Sequence, residues 1–163
     1  MDNPTTLVLG IGNTLLTDEG IGIHVIEYLA ASHSHRSDIT FLDGGTLSFT
    51  LADVVAAHSQ LIVVDAAYTG SPAGTVSCFE GAAMDRYLKG NRRSVHEVGL
   101  TDLLDIARLS DCYPVLRALI GIEPRIMEWG EQPSDPVAAA IPQAAKEVLR
   151  LIDCWAGAGD EPH

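Results

Sequence analysis

The sequence predicts a three-layer α/β fold, a mostly parallel twisted sheet of about five strands with helices on both faces. Short, uninterrupted apolar runs such as Thr5–Gly10 and Leu61–Val64 lack the alternation of a half-exposed strand, so both faces of each must be buried. Between them lie stretches whose apolar residues recur at helical spacing. The apolar runs end at glycine or aspartate, residues that stop a strand and open a loop.

Taken in order, Thr5–Gly10 is the first strand, stopped by Gly10-Ile11-Gly12-Asn13. Helical spacing starts at about Glu19, brings Ile26, Leu29 and Ala30 onto one face, and is broken by Ser32-His33-Ser34-His35. Ile39–Leu42 is strand-like and ends at Asp43-Gly44-Gly45, Leu47–Ala57 is helix-like, and Leu61–Val64 ends at Asp65. Gly74–Phe79 and Val115–Ile122 supply further strands, with a helix over Leu100–Leu109 between them. At Ser134-Asp135-Pro136 an aspartate suited to capping precedes a proline suited to the first helical turn, and Val148, Leu151, Ile152 and Trp155 then share one face. Pro142 either kinks that helix or marks its true start. One domain over residues 1–163 is expected, with a flexible tail at about 157–163.

Charge narrows the partners. A formal charge of −12 repels phosphate backbones and anionic headgroups, so neither nucleic acid nor a membrane surface is expected as a partner. Cys78, Cys112 and Cys154 are odd in number and widely spaced, unlike a zinc ribbon, a redox motif or a disulfide framework. The start has no basic segment, and glycines interrupt the apolar stretch from Leu7, so neither export signal nor membrane span fits. A cytoplasmic monomer is the expectation.

In an open parallel sheet, ligands bind outside the carboxyl ends of the strands. Glu19 follows the first strand, Asp43 ends the second and Asp65 ends the third, so three carboxylates are expected at one edge. Each has an ordinary explanation: Glu19 complements a helix dipole, Asp43 before two glycines suits a turn, and Asp65 can cap the segment after it. Together they would repel unless a cation or charged partner neutralised them. His96, in Ser94-Val95-His96-Glu97, alone reads as a hydrogen-bonded structural histidine. Beside the acids it completes a nitrogen and oxygen set suited to nickel, zinc or manganese.

Other motifs are absent or incomplete. Leu15 occupies the position where a dinucleotide fingerprint needs glycine. There is no His-Glu-x-x-His and no Gly-x-Ser-x-Gly, and no cysteine has a histidine neighbour in sequence. Ser32-His33-Ser34-His35 reads as a polar loop rather than a metal site.

The run Leu7-Val8-Leu9-Gly10-Ile11-Gly12-Asn13-Thr14-Leu15-Leu16-Thr17-Asp18-Glu19-Gly20-Ile21-Gly22 resembles the opening signature of the hydrogenase maturation endopeptidases. The similarity continues through Asp43-Gly44-Gly45-Thr46, Val63-Val64-Asp65-Ala66, and Ser94-Val95-His96-Glu97 with Gly99-Leu100. The order of these motifs matches the family across essentially the whole domain.

The resemblance implies a peptidase that removes a C-terminal extension from the large-subunit precursor of a nickel-iron hydrogenase once nickel has been inserted. It further implies that Glu19, Asp65 and His96 are the nickel-binding positions and that Asp43 is the additional essential acid. Nickel would then arrive with the precursor, and no tightly bound metal of the chain's own is expected. Two alternatives use the same residues: a self-contained zinc or manganese peptidase, and a chaperone that senses nickel without cutting. The family is grouped with aspartic peptidases. However, Asp43-Gly44-Gly45 occurs once here, where the usual dyad takes two such turns. The stretches 32–38 and 69–74 and the tail diverge from the family, so the resemblance leaves substrate selectivity open.

Overall fold

A computed structural model describes residues 5–45, 51–90 and 95–159; of 95–99 and 158–159 only the backbone is described. Strand β1 (Thr6–Ile11) leads through a 3-10 turn (Thr17–Gly20) into helix α1 (Ile21–His33). Next come β2 (Ile39–Gly45), α2 (Leu51–Ala56), β3 (Gln60–Ala66), β4 (Val76–Glu80), α3 (Ala82–Gly90), α4 (Val95–Leu109), β5 (Leu116–Ile122), α5 (Asp135–Ala139) and α6 (Ile141–Gly159). The strands form one five-stranded sheet in the order β2-β1-β3-β5-β4, parallel except for β4, which pairs antiparallel with β5. The predicted fold class is therefore the observed one.

Alternation along the strands builds two cores, one on each face. Val8, Ile62, Val64, Ile120 and Ile122 pack under α1, α5 and α6, and Leu7, Leu9, Leu61, Val63 and Leu119 pack under α2, α3 and α4. Val148, Leu151, Ile152 and Trp155 face the first core, as their spacing predicts. Each such side chain, fully buried, contributes about 1.5–3 kcal/mol.

Several boundaries differ from expectation for physical reasons. Pro142 is the second residue of α6, because the chain breaks after α5 and restarts with proline in the first turn, where its missing N–H costs nothing. Helix α6 runs through Gly159, three residues into the stretch expected to fray, and 160–163 lie outside the described residues. Helix α4 begins at Val95 rather than Leu100, and α3 is a helix additional to those expected. The first residues of the helix expected over Leu47–Ala57 fall within 46–50, outside the described residues.

The chain leaves β1 for β2 on one side of the sheet and later continues from β3 on the other, which places the topological switch between β1 and β3. Helix α1 starts directly over this switch. A side chain at Gly22 would overlap the Val64 carbonyl, so only glycine lets the helix approach both strand ends. Gly12, at φ +142°, turns the chain back over the Glu19 carbonyl, which a Cβ would strike.

The loop after β1 is fastened to the loop after β5. Asp18 is fully buried and its carboxylate accepts the amides of Arg125 (2.8 Å), Ile126 (2.8 Å) and Ser134 (2.6 Å) and the Ser134 hydroxyl (2.7 Å). Thr17, at φ +45°, donates its hydroxyl to the Ile126 carbonyl (2.6 Å) and its amide to the Gly130 carbonyl (2.8 Å). At the opposite edge of the sheet, Asp85 accepts two hydrogen bonds from Arg117 and one from Tyr113, whose ring lies between the guanidinium groups of Arg108 and Arg117.

Burial pushes the Asp18 carboxyl up, but the hydrogen bonds it accepts from Ile126, Ser134 and Arg125 outweigh burial and hold it below 3.8. A carboxyl depressed in the folded state stabilises the fold above its unfolded pKa, and that stabilisation is lost as pH falls through the folded value. Asp18→Ala, which strands these donors, is expected to cost about 3 kcal/mol near neutral pH. The gap from wild type should narrow in acid, which urea unfolding at about pH 7 and about pH 3 measures.

Candidate active site at the carboxyl edge of the sheet

All four residues singled out in the sequence belong to segments at the carboxyl edge, but the sheet divides them. Asp43 and Val64 both lie in register with Gly10 of β1, so Asp43 projects to the same face as Val64, the face covered by α1. Asp65 is one residue further along β3 and projects to the other face, beneath which Leu61, Val63 and Ala67 pack. A shared-proton dyad built from Asp43 and Asp65 is therefore excluded. Among the described residues, Glu19, Asp43 and Asp65 do not form a three-carboxylate metal cluster.

Asp65 is buried, and its Oδ1 accepts the Ala66 amide at 2.8 Å. The turn carrying Glu19 packs against β3 and precedes the N-terminus of α1, where the helix dipole favours negative charge. His96 lies in the first turn of α4. Because α4 leads back to the start of β5, its N-terminal turn belongs to the carboxyl edge, on the face to which Asp65 projects. The His96 side chain lies outside the described residues. Carboxylate oxygens at Glu19 and Asp65 and an imidazole nitrogen at His96 are a donor set that suits a borderline ion such as nickel.

Asp43 is exposed and lines an open groove of about 280 Å³ together with Gly12, Asn13, Thr14, Leu15 and Ile23. Its Oδ1 accepts the Gly45 amide at 2.8 Å, the Asx turn that the two following glycines make possible. The carboxylate is thereby oriented at the rim of a water-accessible groove, a suitable place for activating water.

Neither Cys78 nor the histidine pair competes for the role. Burial first, and Glu80 nearby second, push the Cys78 thiol up to about 11, which leaves it a poor nucleophile at neutral pH. His33 ends α1 and its ring stacks on His35 at 6.2 Å, with no third ligand among the described residues. Among the described residues no helix is long and apolar enough to cross a membrane.

Two features of the edge are not visible in the sequence. Asp18 stands beside Glu19 in the first motif, but its partners are 107 to 116 residues away, and no local pattern announces them. Glu123 likewise fastens the divergent loop after β3, accepting the Thr69 amide (2.7 Å) and hydroxyl (3.0 Å) and the Gly70 amide (3.2 Å).

Comparison with known proteins gives a consistent picture. The family model for hydrogenase maturation protease matches residues 23–151. The hydrogenase expression/formation protein HupD of Rhizobium leguminosarum bv. viciae is 35% identical over 93% of this chain and 76% of its own length. The hydrogenase 2 maturation protease of Escherichia coli is 34% identical, over 90% of this chain and 89% of its own. Among solved structures, the hydrogenase maturating endopeptidase HybD from E. coli superposes with a TM-score of 0.83 at 30% identity, covering 91% of this chain and 92% of that one. Fold, motif order and relatives agree, and the chain belongs to the hydrogenase maturation protease family.

Proposed function

We propose that this protein is the endopeptidase that removes the C-terminal extension of a nickel-iron hydrogenase large-subunit precursor after nickel insertion. In this reading Glu19, Asp65 and His96 recognise the nickel carried by the precursor, and Asp43 activates the water that attacks the scissile peptide. The observation that carries it is the division of the edge: Asp65 and the His96 turn lie toward one face, and Asp43 stands in an open groove toward the other. Recognition and cutting then occupy separate places, and the metal serves as a checkpoint on substrate docking.

The separation also sets a length. β2 and β3 flank β1, so the backbones at Asp43 and Asp65 stand about 10 Å apart across two inter-strand spacings. An extended substrate covers that span in about three residues. The scissile bond is therefore expected about three residues from the nearest nickel-bound residue of the precursor. Inserting two residues between them should abolish cutting while leaving docking intact.

Asp43 would accept a proton from water as the oxygen attacks the carbonyl, and return it to the leaving amine. The Asx turn at Gly45 keeps one carboxylate oxygen occupied and orients the other. Asp43→Asn keeps this turn but removes the base, so kcat should fall by at least about 100-fold while nickel-loaded precursor still binds. His96→Ala should instead weaken binding by about tenfold or more. Full cleavage by Asp43→Asn removes the assigned role.

The checkpoint is tested by intact-mass measurement of the precursor after incubation with purified enzyme. The nickel-loaded form should shorten and the nickel-free form should remain whole. Equal cutting of both forms sinks the checkpoint, and a stoichiometric metal in the isolated enzyme would favour a self-contained metallopeptidase. Retention of precursor without any loss of mass would make the protein a chaperone.

A further inference from the structure

Three large apolar side chains stand exposed on the two loops that Asp18 fastens together: Leu15 at 49%, Met127 at 38% and Trp129 at 82% of their full surface. Leu16 pairs with Gly130 in a parallel bridge, closed by Gly130 N–H to the Leu15 carbonyl (2.9 Å) and Thr17 N–H to the Gly130 carbonyl (2.8 Å). This register sets Leu15 alongside Trp129, and the Glu128 amide donates to the Thr17 hydroxyl at 3.2 Å. An indole left in water has a large unrealised gain from burial, and here the backbone around it is fastened by the Leu15–Gly130 and Thr17–Gly130 hydrogen bonds and by the buried Asp18 carboxylate rather than free to fold inward.

We infer that Leu15, Met127 and Trp129 form the docking rim for the protein substrate, seating an apolar segment with a basic residue beside it. Leu15 belongs both to this rim and to the wall of the Asp43 groove, so a chain lying across the rim continues directly into that groove. Exposed Glu128 and Glu131 flank Trp129, and the chain as a whole carries −12, which favours a basic flank on the bound segment. Trp129 is the anchor, because a rigid aromatic at the centre of a contact carries most of its affinity. The inference rests on the proposal that the Asp43 groove takes a protein substrate.

The test uses the full-length enzyme and the nickel-loaded large-subunit precursor. Trp129→Ala should raise KM for processing by about tenfold or more with kcat within about twofold of wild type, and Leu15→Ala should raise KM to a smaller degree. Glu131→Lys should raise KM most at low ionic strength, the effect shrinking as salt is added. Because Trp129 and Glu131 are exposed, Trp129→Ala and Glu131→Lys should keep the wild-type unfolding midpoint, which separates a docking defect from misfolding. A photo-reactive benzoylphenylalanine in place of Trp129 should crosslink to the precursor, and mass mapping of that crosslink should find an apolar segment beside Lys or Arg. Unchanged KM in both alanine variants overturns the inference, as does a crosslink only to a second copy of the enzyme. If the enzyme crosslinks to the precursor through position 129 but never shortens it, the rim stands and the proposed cleavage fails.

Discussion

The carboxyl edge of this protein depends on one buried carboxylate. Among the described residues Asp18 has no cationic side chain as a hydrogen-bond partner; backbone amides and one hydroxyl satisfy it instead. Such an arrangement is stable because the desolvation of the charge is offset by several short hydrogen bonds from fixed dipoles. It joins the segment after β1 to the segment after β5, two loops that the sheet alone would leave independent. Glu19 is the next residue along, and Leu15 and Trp129 lie on the joined backbone. Loss of the latch would therefore disturb the placement of Glu19 and of the exposed Leu15 and Trp129 together.

The glycines around β1 complete this frame. Gly22 lets α1 begin against the ends of β1 and β3, and Gly12 lets the loop reverse over Glu19. The positive end of α1 is thereby brought to the edge where the acids collect, so the helix that closes one core also favours their charge. Packing and electrostatics here come from the same close approach.

Much of this is legible in the sequence, and the reasons are local. Unbroken apolar runs such as Leu61–Val64 announce strands buried on both faces, and Val148, Leu151, Ile152 and Trp155 announce the face of α6. That Glu19, Asp43 and Asp65 belong to one edge follows from their place at strand ends. Their separation onto two faces is not legible, although strand alternation decides it, because it depends on pairing register between strands distant in sequence. The Asp18 latch is hidden for the same reason, since a partner more than 100 residues away leaves no periodic trace. The exposed position of Trp129 is likewise invisible locally: only the paired loops show that the indole has no interior to enter.

The latch has a consequence for how this scaffold diversifies. Asp18 holds the 125–134 segment mainly through main-chain N–H groups, which every residue except proline supplies. Side chains at Arg125, Met127, Trp129 and Glu131 can therefore be exchanged without loosening the loop that displays them. Only the Ser134 hydroxyl ties the latch to a particular side chain on that segment. One rigid backbone can in this way display many different side-chain surfaces while the carboxyl edge of the sheet stays in place.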